Sequence, residues 1–219
     1  ALARRVGSSG HVLAVDNAAS MLGAASDHLD QLGLSNIVET RVMDAQQLEL
    51  QPDSFDAAIC RFGLMLLPAP AEALRGIRRA IKPGATFAAL VWSTQDSNPF
   101  QALPFAILQR HGIWPPPQPG QPGPWALSGE DVLGRMLREA GFRDVTVEVT
   151  ALTWRFTTME DALAYYRLQA AVLGPQAAEH MSDAGGRQLF MEFAQALEPF
   201  NGADGLVVPG EALLGSGAK

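Results

Sequence analysis

The sequence has one cysteine, two tyrosines and a deficit of basic residues. The single cysteine, Cys60, excludes an intrachain disulfide and any multi-cysteine metal site. It fits a reducing compartment, and a cytoplasmic location is expected. No apolar run approaches the roughly 18 residues of a bilayer-spanning helix, so no membrane span is expected. No signal peptide is expected either, since Arg4 and Arg5 lead into Gly7-Ser8-Ser9-Gly10 rather than an apolar core. The 16 basic residues face 23 acidic ones, a formal net charge of −7. Without a Lys/Arg block, such a surface suits neither nucleic acid nor an anionic membrane. The four histidines are scattered and show no metal spacing, so no metal is expected.

What is present is a 219-residue chain, 47% apolar, long enough to bury a full core as one domain. His11 to Val15 and Phe55 to Cys60 are short apolar runs of the kind that form buried parallel strands. Ala85 to Trp92 is a third, behind a helix over 71–82 that Lys82-Pro83-Gly84 should end. Asn17 to Leu32 places Met21, Ala24, Ala25, His28, Leu29 and Leu32 at helical spacing before Gly33. Ile37 to Val42 alternates, as a strand near a sheet edge does. Ser128 and Asp131 form a capping-box pattern ahead of a helix that stops at Gly141. Val145 to Val149 alternates, Thr158 with Asp161 opens a helix, and Arg187 to Leu197 is helical. Gly185-Gly186 reads as a helix-joining loop, and Leu206 to Leu214 as a last strand. The segment 93–127 interrupts this order. Between Gly112 and Pro124, nine of thirteen residues are Gly or Pro, flanked by aromatics, which suggests a lid or a long loop.

Apolar strands alternating with helices argue an α/β fold, a mostly parallel sheet covered on both faces. Ligands in such sheets sit at the carboxyl ends of the strands. Asp16 and Asp44 end two strands, 28 residues apart. Asp16 offers two acceptor oxygens to a ribose, or an N-cap to the next helix. Asp44 suits an exocyclic adenine amine beside the Ala45 N–H, or an Asx turn. Together the two acids suit a nucleoside. Cys60 reads as a core residue rather than a nucleophile.

Residues 11–22 (HVLAVDNAASML), 42–48 (VMDAQQL), 54–68 (SFDAAICRFGLMLLP) and 71–92 resemble the Rossmann-like, class I S-adenosylmethionine-dependent methyltransferases of the small-molecule type. The resemblance covers about residues 1–150. It implies S-adenosylmethionine as cofactor, with Asp16 on the ribose and Asn17 and Met21 beside ribose and adenine. Asp44 and Ala45 would read the adenine edge. Arg61 and Phe62 would face the methionine part, with Gly63 and Leu64 continuing that rim. The family's glycine-rich loop and first strand have no counterpart here, which makes an N-terminally truncated domain, 1–219, the expectation. Gly7-Ser8-Ser9-Gly10 is then a turn. Ala1 to Val6 would be the last turns of a helix.

The implied reaction is methyl transfer to a small apolar or aromatic acceptor, with aromatics of 93–127 and Tyr165 and Tyr166 forming its pocket. An oxygen acceptor needs a base, for which His111, His180, Tyr165 and Tyr166 are the candidates. A nicotinamide-dependent oxidoreductase and an inactive fragment or non-catalytic interaction module are the alternatives.

Overall fold

The apolar runs and helical spacings become elements in the order α1 (Leu2–Val6), β1 (Val12–Asp16), α2 (Ala19–Gln31), β2 (Val38–Val42), β3 (Phe55–Arg61), α3 (Pro70–Ala80) and β4 (Ile81–Trp92). There follow α4 (Pro99–Arg110), α5 (Val132–Glu139), β5 (Arg143–Phe156), α6 (Met159–Leu173), α7 (Ala184–Leu197), β6 (Asn201–Gly202) and β7 (Gly205–Ala218). The structure is a computed structural model that describes residues 1–115, 120–173, 179–181 and 184–219. Part of the Pro/Gly-rich stretch, 116–119, lies outside the described residues. Gly7 to Gly10 is the expected turn, closed by Gly10 N–H donating to the Gly7 carbonyl at 3.2 Å.

The strands form two sheets. β1 and β2 pair in parallel, Val12 opposite Val38 through Asp16 opposite Val42. The larger sheet runs β3-β4-β7-β5, with β6 on β7. β3 and β4 are parallel, and β7, the antiparallel C-terminal strand, runs against both β4 and β5. One expectation fails here. No residue of β1 or β3 is fully buried, and Ile59 is 60% exposed. Both are edge strands, for no strand among the described residues pairs with the outer side of either. An apolar strand is buried only when neighbours flank it on both sides, and these two each have one.

α3 starts with Pro70 in its first turn and Glu72 behind it, and ends on Arg78 and Arg79, which suits the helix dipole at both ends. It buries Ala73 and Leu74 in a core with Leu64, Ile81, Phe87, Val91, Leu133 and Leu137. Lys82-Pro83-Gly84 does not end the helix alone; it forms a bulge in β4, where the register jumps between Phe55 opposite Ile81 and Ala57 opposite Thr86. The 128–131 capping box does not form. Ser128 Oγ donates to the Trp125 carbonyl at 2.8 Å, and Asp131 pairs with Arg138. The Thr158–Asp161 box does form, each residue accepting the other's N–H. Gly185 and Gly186 lie within α7, not in a loop.

β4 stops at Trp92 opposite Ala212, whereas β5 and β7 run on paired to Phe156 opposite Leu206. α4, α6 and α7 pack on this overhang around a second core of Phe100, Leu108, Tyr166, Phe193, Leu197 and Leu206. α4 itself departs from the loop or lid expected over 93–127, because its two prolines hide it. Pro99 takes the first turn, where no N–H is missed. Pro104 stands inside, and without its N–H the Phe100 carbonyl has no helical partner. The buried Tyr166 hydroxyl donates to that carbonyl at 2.7 Å. Asn98, fully buried, ties the start of α4 to β7: its Oδ1 accepts the Glu211 N–H at 2.9 Å, and its Nδ2 donates to Ser93 Oγ and the Thr94 carbonyl.

Tyr166→Phe is therefore expected to cost about 1–3 kcal/mol in urea unfolding, the penalty of an unpaired buried carbonyl. In a Pro104→Ala background, where residue 104 regains an N–H for Phe100, the same change should cost much less. Equal costs in both backgrounds contradict the pairing. The split sheet predicts that Ile59→Thr shifts stability by less than about 0.5 kcal/mol. Val91→Thr, at a fully buried position of β4, should cost about 1–3 kcal/mol in the same measurement.

Candidate functional site

The carboxyl ends of β1, β2 and β3 carry the candidate residues. The Met43 N–H donates to the Asp16 carbonyl at 3.0 Å, so the tips of β1 and β2 are joined by backbone. Asp16 stands opposite Val42, and Asp44 follows two residues on. Strand spacing and rise place the two aspartate Cα atoms roughly 8 Å apart.

Asp16 is exposed, and its Oδ1 accepts the Ala18 N–H at 2.8 Å at the start of α2. That is an Asx turn ahead of the helix, whose N-cap is Ala18 without a side-chain cap, and it occupies one oxygen; Oδ2 has no partner among the described residues. Asn17 is exposed beside it, and Met21, one turn into α2, is 59% exposed despite its apolar side chain. Asp44 is half-buried and caps a single 3-10 turn, Ala45–Gln47, by accepting the Gln46 N–H at 2.8 Å. The Asx turn thus forms, and Gln46 Nε2 also donates to Oδ1 at 3.2 Å and to Oδ2 at 3.4 Å. The Ala45 N–H opens that turn and has no hydrogen-bond partner among the described residues.

Arg61 ends β3 and forms no ion pair among the described residues; its guanidinium lies 5.8 Å from the centre of the Phe62 ring. Phe62 has φ 56°, in the left-handed region, while its N–H donates to the Leu90 carbonyl at 2.8 Å. A bulky residue held in that region marks strain, and such strain collects at ligand sites. Its ring stacks on Trp92 with centroids 4.0 Å apart. Gly63 follows, and a Cβ there would sit 3.2 Å from Cys60 Sγ. Leu64 is not part of the rim, because it is fully buried in the core. Burial pushes the Cys60 thiol pKa up, against the bonds from the Gly63 and Leu64 backbone.

Among the candidate bases, Tyr166 is spent on the Phe100 carbonyl, and burial raises its pKa well above the ordinary tyrosine range. His111 sits against Glu192 at 2.8 Å, at the end of α4. His180 is exposed. Tyr165 is half-buried, its oxygen accepting from Gln169 Nε2 at 2.7 Å. Its ring packs 5.3 Å from Trp154, a residue the sequence reading passed over. Leu152, Trp154 and Phe156 alternate as well, but out of phase with Val145, Val147 and Val149, so they occupy the opposite face of β5.

The methyltransferase domain family matches residues 1–89, a stretch that holds every candidate from Asp16 to Phe62. The ubiquinone/menaquinone biosynthesis C-methyltransferase UbiE of Cellvibrio japonicus is 36% identical over 112 residues, 47% of this chain and 45% of that protein. A 2-phytyl-1,4-naphtoquinone methyltransferase of Synechococcus elongatus is 37% identical over 89 residues, 41% of this chain and 38% of that protein. The chain spans less than half the length of these relatives in either alignment. In three dimensions, a Haemonchus contortus phosphoethanolamine N-methyltransferase solved with S-adenosylhomocysteine superposes with a TM-score of 0.56 at 19% identity, covering 99% of this chain and 46% of that one. The chain shares the Rossmann-like α/β fold of that structure, and its residues 1–89 are similar to the methyltransferase domain family.

Proposed function

We propose that the protein transfers a methyl group from S-adenosylmethionine to a small apolar or aromatic acceptor. The observation that carries this reading is the pair of acids on adjoining strand tips, with the Asp16 Oδ2 and the Ala45 N–H both unspent. Asp16 holds the ribose hydroxyls, Asp44 and Ala45 take the adenine edge, and Asn17 and the exposed Met21 close over the sugar and base. Arg61 and Phe62 border the methionine part. S-adenosylmethionine, when bound, supplies a methyl group already activated by the sulfonium charge. The protein's share is then to align the acceptor behind that methyl and to exclude water.

The quinone acceptors named for the Cellvibrio and Synechococcus relatives support an aromatic acceptor, as does the ring-lined end of β3, β4 and β5. α4, tied to β7 through Asn98, is read as part of the acceptor's cover. No feature of the structure favours a nicotinamide or a purely structural role. Among the described residues no helix is long and apolar enough to cross a membrane, and a cytoplasmic location belongs to the same reading.

Asp16→Ala is expected to weaken S-adenosylhomocysteine binding by about 1–3 kcal/mol in calorimetry, the cost of unpaired hydroxyl donors. An unchanged affinity removes Asp16 from the site. Tyr166→Phe, remote in role, should leave that affinity as it is.

A further inference from the structure

The two hydrophobic cores meet along a line of rings. Phe62 stacks on Trp92, Trp92 lies 6.1 Å from Trp154, and Trp154 lies 4.9 Å from Phe100 and 5.3 Å from Tyr165. Trp154 packs against both cores. Phe62, Trp92 and Trp154 stand at or near the carboxyl ends of β3, β4 and β5, which run parallel to one another because β7 is antiparallel to β4 and β5 alike. A seam between two packed units, at the carboxyl edge of the sheet, is where such folds bind small molecules.

Two polar groups on this seam are unused. Trp154 Nε1 is a buried side-chain donor with no partner among the described residues. Tyr165 spends its oxygen as an acceptor for Gln169 Nε2, so its own proton points elsewhere, to no acceptor among the described residues. Buried donors are nearly always paired, and a lone one signals a partner the protein alone does not supply. Trp154 Nε1 is the buried lone donor, the hydroxyl of the half-buried Tyr165 is a second donor on the neighbouring ring, and the two suit one oxygen with two lone pairs. The rings around them suit a flat apolar body.

We propose that Trp154 and Tyr165 are the specificity-determining residues for the acceptor: its aromatic ring seats at the seam, and one ring oxygen accepts hydrogen bonds from Trp154 Nε1–H and Tyr165 O–H. This rests on the methyl-transfer reading for what lies on the Phe62 side, and on geometry alone for the oxygen. Acceptors of the same shape without that oxygen leave both donors unpaired and bind more weakly.

The test is calorimetric titration of the protein with 1-naphthol and with 1-methylnaphthalene, a near-isostere that lacks the oxygen. The wild type is expected to prefer 1-naphthol about tenfold, a range set by one or two net hydrogen bonds. Trp154→Phe and Tyr165→Phe should each cut that preference to about two- to threefold, with binding of 1-methylnaphthalene and of S-adenosylhomocysteine unchanged. If Trp154→Phe does not fold, Tyr165→Phe decides alone. No preference in the wild type, or the same preference in the variants, overturns the inference. An equal loss of both naphthalenes also overturns it, since the rings would then act only by packing. Failure of the wild type to bind S-adenosylhomocysteine, with the preference intact, sinks the methyl-donor reading and leaves the oxygen recognition standing.

Discussion

The two sheets act as one body because the chain between β2 and β3 is fastened to α3. The Ala69 N–H donates to Gln46 Oε1 at 2.7 Å, Arg79 Nη2 donates to the Leu48 carbonyl at 2.6 Å, and Leu48 packs buried against Gly76. A Cβ at Gly76 would stand 3.4 Å from Leu48, which shows how closely the two segments pack. Among the described residues, no other pair of elements of comparable extent joins the β1–β2 pair to the larger sheet. The fastening matters to the proposed site, because Asp16 and Asp44 stand at the ends of the β1–β2 pair and Arg61 and Phe62 at the end of β3 in the larger sheet. A ligand that touches both ends of the site must span the division.

The second constraint is the overhang of β5 and β7. A ribbon that outruns β4 must bury its apolar face, and α4, α6 and α7 do so. The need explains an otherwise costly choice, a proline within α4. Pro104 frees one carbonyl, and Tyr166 pairs with it from α6, so two helices are linked through a residue that would ordinarily break one. Trp154 then sits where the helical layer meets the sheet core, and its position follows from the ribbon's length rather than from any local signal.

Much of this was legible in the residues, and the failures have physical causes. Element type is a local property, so β1, α2, β2, β3 and α3 could be read from periodicity and caps. Burial depends on neighbours, so the same apolar runs did not reveal that β1 and β3 are edges. The helix over Pro99–Arg110 was hidden because prolines argue against helix and the compensating Tyr166 is 66 residues away. The capping pattern at 128–131 failed because Asp131 found Arg138 and Ser128 found a nearby carbonyl. In the site, the acids at strand ends were legible from position alone. The strain at Phe62, the burial of Leu64 and the idle Trp154 donor were not, since each arises from packing between elements distant in sequence.

The central claim is that one nucleoside-type ligand is gripped across the division between the sheets. Amide chemical shifts recorded during titration with S-adenosylhomocysteine test it most directly. The account predicts that signals of Asp16 to Ala18, Asp44 to Gln46 and Arg61 to Gly63 move together along one binding curve. Shifts confined to one sheet, or separate curves for the two, would contradict it.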